Sequence, residues 1–286
     1  MPLTTIYGDG NGTRVIGDSS SFPQTLHPDV MRFIVTLRTA STTYSMTRTE
    51  IDAINNFVWA CEANGIWTKM QAVYPFIGDN QVSQSYNLKS VSTFQITWTG
   101  SAFTFSSANG FQKTATDNTS YGLTGYTPST SQTLNDAHIS CYVGTQQTGS
   151  GFIVPFGSVS GGNTWLQVCT GIGANANFAI QGTSATNAAI LFTAPSVNTG
   201  FFLGTRTTAS LLKGYYNGKL VGTNTNTSSG RSTFQVGVGL QNATLRLYSC
   251  TQAIRFASIG SGLNDAESYQ LFQAVQNYQT KLGRQV

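Results

Sequence analysis

Acid catalysis has few carriers in this chain. Its glutamates are Glu50, Glu62 and Glu267, and cleavage of a glycosidic bond needs two carboxyl groups a few ångströms apart. Glu50-Ile51-Asp52 has the alternation of a strand that bears two acids. However, Thr47-Arg48-Thr49-Glu50 is a capping box, and Ile51, Ile54, Val58 and Cys61 follow at helical spacing. These acids therefore fall in the first turn of a helix, where they stabilise its dipole. Asp79, Asp117 and Asp136 lie in loop-like segments and leave a carboxylate pair open. The two histidines are His27, which precedes Pro28 at a helix start, and His138, which follows Asp136 at a strand start. A hydrogen-bonded structural role is the reading for His138. There is no Gly-x-Ser-x-Gly elbow, Cys-x-x-Cys pair, phosphate loop or His-rich metal motif. No catalytic residue, metal ligand or cofactor is assigned. Calcium needs several converging oxygens, and Asp117-Asn118 and Asn135-Asp136, the donor pairs on offer, read as ordinary turns.

The composition favours binding chemistry. Charged residues make up 9% of the chain, against about 25% in an average globular protein, so solubility rests on hydroxyls, amides and glycine. Aromatic rings beside amides suit sugars, whose apolar faces stack on rings while their hydroxyls find donors and acceptors. The candidates are Tyr215, Tyr216 and Asn217, with Tyr121, Tyr126 and Trp165. Trp165 also reads as core, and one of the adjacent Tyr215-Tyr216 pair must face inward. The same chemistry suits protein contacts within an assembly.

Several elements must position these side chains. Asn217-Gly218 separates two β-prone runs and supplies the two positive-φ residues of a type I′ hairpin turn. Phe234, Val236 and Val238 alternate behind it, as do Leu245 and Leu247, and the run starting at Ile254 is a further strand. Asn264-Asp265-Ala266-Glu267 starts a second capped helix, lined by Leu271, Val275, Tyr278 and Leu282 and stopped by Gly283. Toward the N-terminus, Val30, Phe33, Ile34 and Leu37 predict a short helix. Asn64-Gly65 ends the helix that begins near Arg48, and the apolar run from Ile66 to Gly78 reads as one buried strand with that helix beside the sheet edge. From Phe94 onward the period is two: Phe94, Ile96 and Trp98 alternate, and similar runs recur about every 8 to 15 residues. The expected fold is mainly β, a two-sheet antiparallel jelly-roll sandwich with an N-terminal arm, a helix near 48–63 and a C-terminal helix near 265–282. The expected units are the arm (1–26), a helical segment packed on the sandwich (27–65) and the sandwich with its closing helix (66–286).

The net charge of +4 is spread without a basic run, so neither nucleic acid nor an anionic membrane surface is an expected partner. No apolar segment approaches the ~20 residues of a membrane span. Met1-Pro2-Leu3-Thr4 opens without a signal region. Cys61, Cys141, Cys169 and Cys250 lie far apart and read as four buried thiols.

The hairpin over 214–223 and Leu263-Asn264-Asp265-Ala266-Glu267 resemble laminin-G-like modules of the concanavalin A-like jelly roll. Four segments, Trp67-Thr68-Lys69-Met70-Gln71-Ala72-Val73-Tyr74-Pro75-Phe76-Ile77-Gly78, Tyr86-Asn87-Leu88-Lys89, Phe256-Ala257-Ser258-Ile259-Gly260-Ser261-Gly262-Leu263 and Gln279-Thr280-Lys281-Leu282-Gly283-Arg284-Gln285-Val286, sharpen this. Together they are similar to a family of bacteriophage tail, fibre and head-surface proteins. The similarity runs from about Pro28 to Val286 and rests on core and turn residues, so it carries over no functional residue. It implies a non-enzymatic structural protein of the virion, made in the host cytoplasm and exposed after lysis. Its implied partners are other virion proteins and further copies of itself, with the arm as attachment. The alternative is a lectin-like receptor-binding module for host glycan; a capsular depolymerase ranks third.

Overall fold

The computed structural model describes residues 6–8, 13–15, 25–41, 43–147, 151–161, 164–172, 175–182, 189–193, 198–243 and 248–286. Leu245, Leu247 and most of the expected arm lie outside these residues. The helices are α1 (Pro28–Ala40), α2 (Arg48–Ala63), the single turn α3 (Pro128–Ser131) and α4 (Asp265–Lys281). Both capping boxes form. Thr47 Oγ1 accepts from the Glu50 amide while the Glu50 carboxylate accepts from the Thr47 amide at 2.6 Å. Asn264 and Glu267 repeat the exchange on α4, which ends at Gly283 with φ +66°. The first helix extends beyond its apolar stripe because His27 caps it, its ring accepting from the Asp29 amide.

Two short strands, β1 (Ile6–Gly8) and β2 (Thr13–Val15), pair with each other. An inner sheet holds β3 (Met70–Tyr74), β5 (Phe103–Ser106), β6 (Gly110–Lys113), β8 (Ala137–Val143), β14 (Gly200–Thr208), β15 (Leu211–Tyr216), β16 (Lys219–Asn224) and β19 (Ile254–Gly260). Its order is β16-β15-β14-β8-β19-β6-β5, with β3 also on β19. An outer sheet holds β4 (Thr97–Thr99), β7 (Tyr121–Leu123), β9 (Phe152–Ile153), β10 (Phe156–Ser160), β11 (Thr164–Ile172), β12 (Asn175–Ile180), β13 (Ala189–Thr193), β17 (Gly237–Val238) and β18 (Gln241–Asn242). It runs β13-β12-β11-β10-β17-β7-β4. Among the described strands every pairing is antiparallel except the two-residue contact of β10 with β18. The fold is the expected two-sheet antiparallel sandwich with few helices.

The middle of the inner sheet, β8, β19 and most of β14, is buried on both faces. Toward the outer sheet it sends Ile139, Cys141, Phe202, Ala257 and Ile259, which meet Leu166, Val168 and Phe178. Toward the helices it sends Val73, Tyr142, Phe201, Leu203 and Phe256, which meet Phe57 and Val58 of α2 and Leu271 and Val275 of α4. The helix α2 therefore lies across the face of the sheet and not beside its edge, and the molecule has three layers. Glycine permits the close approach between sheets: a Cβ on Gly214 would stand 2.4 Å from the Phe178 ring.

The apolar run after Asn64 is not one strand. It begins as a 3₁₀ turn (Trp67–Lys69), continues as β3 and is broken at Phe76, whose φ is +44°. The stretch Phe94, Ile96, Trp98 is likewise only partly a strand: Phe94 has φ +55° and pairing starts at Thr97. Arg284 secures the bend at Phe76. Its guanidinium, 3% exposed, donates to the carbonyls of Pro75, Phe76, Ser107 and Arg255 at 2.8–2.9 Å and to Gln279 Oε1 at 2.7 Å.

The four cysteines are buried free thiols. His138, Ser140 and Ser258 make a buried polar cluster on the helix side of the inner sheet. Ser258 Oγ stands 3.2 Å from His138 Nε2 and 2.7 Å from Ser140 Oγ, and the other ring nitrogen pairs with the Ser261 carbonyl at 2.6 Å. Burial, only partly countered by that carbonyl, pushes the histidine down to about 4.

Candidate functional site

The β15–β16 hairpin turns at Asn217 (φ +46°) and Gly218 (φ +75°), as its Asn-Gly pair dictates. Asn217 is exposed, and its Oδ1 accepts from the Phe201 amide at 2.7 Å while its own amide donates to the Phe201 carbonyl at 2.8 Å. The tip is thus fixed against β14. The tyrosines before it both turn inward. Tyr215 is 4% exposed, lies in the helix-side core and donates to Asp265 at 2.9 Å. Burial first, and then Asp265, push its hydroxyl pKa up. Tyr216 faces the core between sheets, 4.9 Å from the Phe202 ring centre, and donates to the Thr199 carbonyl. Alternation predicts one outward side chain in such a pair; a sheet covered on both faces leaves none.

The aromatic surface at the tip comes instead from α4. Gly218 packs against Phe272, and a Cβ there would stand 2.5 Å from that ring. Phe272 is half-buried between Phe201 and Tyr269, 6.2 Å from each ring centre. Tyr269 is 49% exposed. Leu220, 44% exposed, and the exposed Lys219 continue the surface along β16. At its base Lys213 Nζ grips Asp265 at 2.6 Å, and hydrogen bonds from Lys213 and then Tyr215 hold that carboxyl below the usual carboxylate range. This platform combines a stacking ring, a fixed carboxamide and an ammonium, which together fit the apolar face and hydroxyls of a sugar. Tyr269 and Phe272 were not among the residues singled out from the sequence. The available signal was their position off the Leu271–Val275–Tyr278 stripe: aromatics on a helix outside its core face.

The other candidates do not join this surface. Tyr126 is fully buried, its hydroxyl on Gln71 Oε1 at 2.5 Å and its ring 4.9 Å from Phe94, so it has no face for a ligand. Trp165 and Tyr121 are half-buried on the outward face of the outer sheet; Trp165 is not core, because Leu166 and Val168 take the inward positions of β11. Their strands β11 and β7 are separated by β10 and β17, about 14 Å at the usual strand spacing. On the same face of the sheet Gln241 donates to Gln167, which reaches Asn177 on β12 at 3.4 Å. Gly157 makes room for this chain of amides, since a Cβ there would stand 2.5 Å from that of Gln167.

The carboxylates serve the fold. Glu50 and Glu267 cap their helices, and Glu267 also pairs with Lys69 at 2.7 Å. Asp117 accepts from the Thr119 and Ser120 amides within its own turn, Asp136 accepts from the Gly262 amide and Asn135 from Ser228. Asp117, Asn135 and Asp136, weighed for calcium, thus accept hydrogen bonds within the fold.

No protein-family model and no curated protein matches the chain. Its fold matches solved structures. A mutant Trypanosoma rangeli sialidase displaying trans-sialidase activity superposes with TM-score 0.55 at 9% identity, over 80% of this chain and 39% of that one. The binding domain of botulinum neurotoxin serotype D gives 0.52 at 11%, over 74% and 52%. Botulinum neurotoxin type C, whose cell entry depends on interaction with two ganglioside molecules, gives 0.50 at 14%, over 75% and 53%. This chain spans about half the length of these structures or less. What these matches share with the chain is the two-sheet β-sandwich fold.

Proposed function

We propose that the chain is a non-enzymatic, lectin-like module that recognises a glycan through the platform of Tyr269, Phe272 and the Asn217 tip. The observation that carries this reading is the half-exposed Tyr269 ring, seated on Phe272 beside a hydrogen-bonded carboxamide. Ganglioside interaction by a toxin of the same fold supports it. The test is a glycan array that includes gangliosides, run with and without calcium on the wild type and Tyr269→Ala. The expected result is saturable binding to one glycan class, weakened about 2- to 10-fold by loss of the ring. Absence of saturable binding, or binding indifferent to Tyr269→Ala, would overturn it.

The sequence resemblance supports the setting of this reading: a homo-oligomeric surface protein of a bacteriophage virion, attached to neighbouring virion proteins through residues preceding α1. The Thr25 carbonyl is held by the Trp59 indole at 2.9 Å, so the described chain enters α1 beside α2. Deleting residues 1–25 is expected to abolish incorporation into particles while the sandwich still folds; normal incorporation would remove the arm from the reading.

A further inference from the structure

We infer that the groove between α2 and α4 is a second binding site, built for one acidic sugar unit of the uronic-acid type. It does not rest on the platform at the hairpin tip. Phe57 and Tyr278, their ring centres 5.9 Å apart, form its floor. Ala53 and Ala60 on α2 and Ala274 on α4 border it. Their neighbours Ile54, Val58, Leu271 and Val275 turn toward the sheet and fill the core there. The small side chains of Ala53, Ala60 and Ala274 leave a cavity of about 270 Å³ between the helices. A space of that size seats one sugar ring.

The walls supply the polar chemistry. Asn56, Asn277 and Lys281 line the opening, and none of the three has a hydrogen-bond or ion-pair partner among the described residues. Of the acids on α2, Asp52 pairs with Arg48 at 2.9 Å, Glu50 caps the helix and accepts from Ser107, and Glu62 stands exposed in the last turn; none of them forms an ion pair with Lys281 among the described residues. The groove therefore presents one unneutralised ammonium, two carboxamides that each donate and accept, and an apolar floor. A ligand that answers all of these carries one carboxylate, several hydroxyls and one apolar face. A neutral sugar would leave the ammonium unanswered, and a simple carboxylate would leave the floor and amides unused.

The experiment is an NMR titration of the full chain with glucuronate, glucose and acetate as separate probes. Glucuronate is expected to bind roughly fivefold more tightly than glucose, the size of one partly exposed ion pair, and more tightly than acetate, with shifts confined to 53–60 and 274–281. Lys281→Gln on the exposed last turn of α4 is expected to erase the preference for glucuronate over glucose with the melting curve unchanged. Ala60→Leu is expected to remove binding of both sugars by filling the groove, and Tyr269→Ala to leave both intact. Equal affinity for glucose and glucuronate, indifference to Lys281→Gln, or loss of glucuronate binding in Tyr269→Ala would overturn the assignment. The last outcome would return the binding to the platform.

Discussion

Replacing Arg284 with methionine removes every donor of a buried guanidinium while keeping much of its apolar length. Four backbone carbonyls, those of Pro75, Phe76, Ser107 and Arg255, then lose a donor held at 2.8–2.9 Å. Pro75 keeps the Tyr278 hydroxyl at 2.8 Å and Arg255 the Gln279 amide at 3.3 Å, so the acceptors orphaned are the Phe76 and Ser107 carbonyls and Gln279 Oε1, at about 1 kcal/mol each about 3 kcal/mol in sum. Relief from burying the cation offsets part of this, since burial already holds the Arg284 pKa down, and the net expectation is about 2 kcal/mol. The positive φ of Phe76 makes the site sensitive, because a non-glycine residue there strains the backbone by about 1–2 kcal/mol and Arg284 holds its carbonyl in place. Urea unfolding followed by tryptophan fluorescence should show a midpoint lowered by about 1 M with an unchanged slope. Arg284→Lys, with one ammonium for a planar fork, should fall between the two proteins. A methionine variant within about 1 kcal/mol of wild type would refute the reasoning and mean that water reaches those carbonyls.

Two further outcomes follow from the buried groups. Burial holds the His138 pKa down to about 4 in the fold against about 6.5 in an unfolded chain, so between those values the unfolded state holds the extra proton and stability falls as the pH is lowered. The loss should be about 2 kcal/mol from pH 6.5 to 5, measured by urea unfolding at each pH. His138→Asn should flatten that slope, and a flat wild-type profile would contradict the burial. For the thiols, burial pushes Cys169 and Cys250 up to about 12 and raises Cys61 and Cys141 further. A disulfide reagent should therefore find none of the four reactive in the native protein and all four after denaturation; a thiol that reacts in the fold would show an opening not seen in the structure.

The sequence marks elements where a short-range device sets them. Thr47 with Glu50, Asn264 with Glu267, and Asn217-Gly218 each define a start or a turn within four residues, and α2, α4 and the hairpin fall where those signals lie. What escaped depends on partners distant in the chain. Tyr215 and Tyr216 read as one inward and one outward residue because nothing local announces that α4 covers the second face. Ile66 to Gly78 reads as a single strand because continuous apolar character does not separate a turn packed under a helix from a strand. Tyr126 is a buried partner of Gln71, 55 residues away, and sequence spacing cannot show that pairing. Tyr269 and Phe272 are legible only as off-stripe aromatics, and they gain meaning once Gly218 lies against them.

The helical layer also bears on how the chain reaches this state. Its halves come from opposite ends of the described sequence: α2 packs on α4, and the ion pair of Lys69, in the turn after α2, with Glu267 spans 198 residues. On a ribosome, α1, α2 and most of the inner sheet emerge long before α4, so one apolar face waits without its cover throughout elongation. Contacts so distant in sequence close slowly, and an exposed sheet face in that interval is prone to aggregation. Chaperone dependence and yield during expression should therefore respond most to changes in α4, and a chain interrupted before it should accumulate as insoluble material.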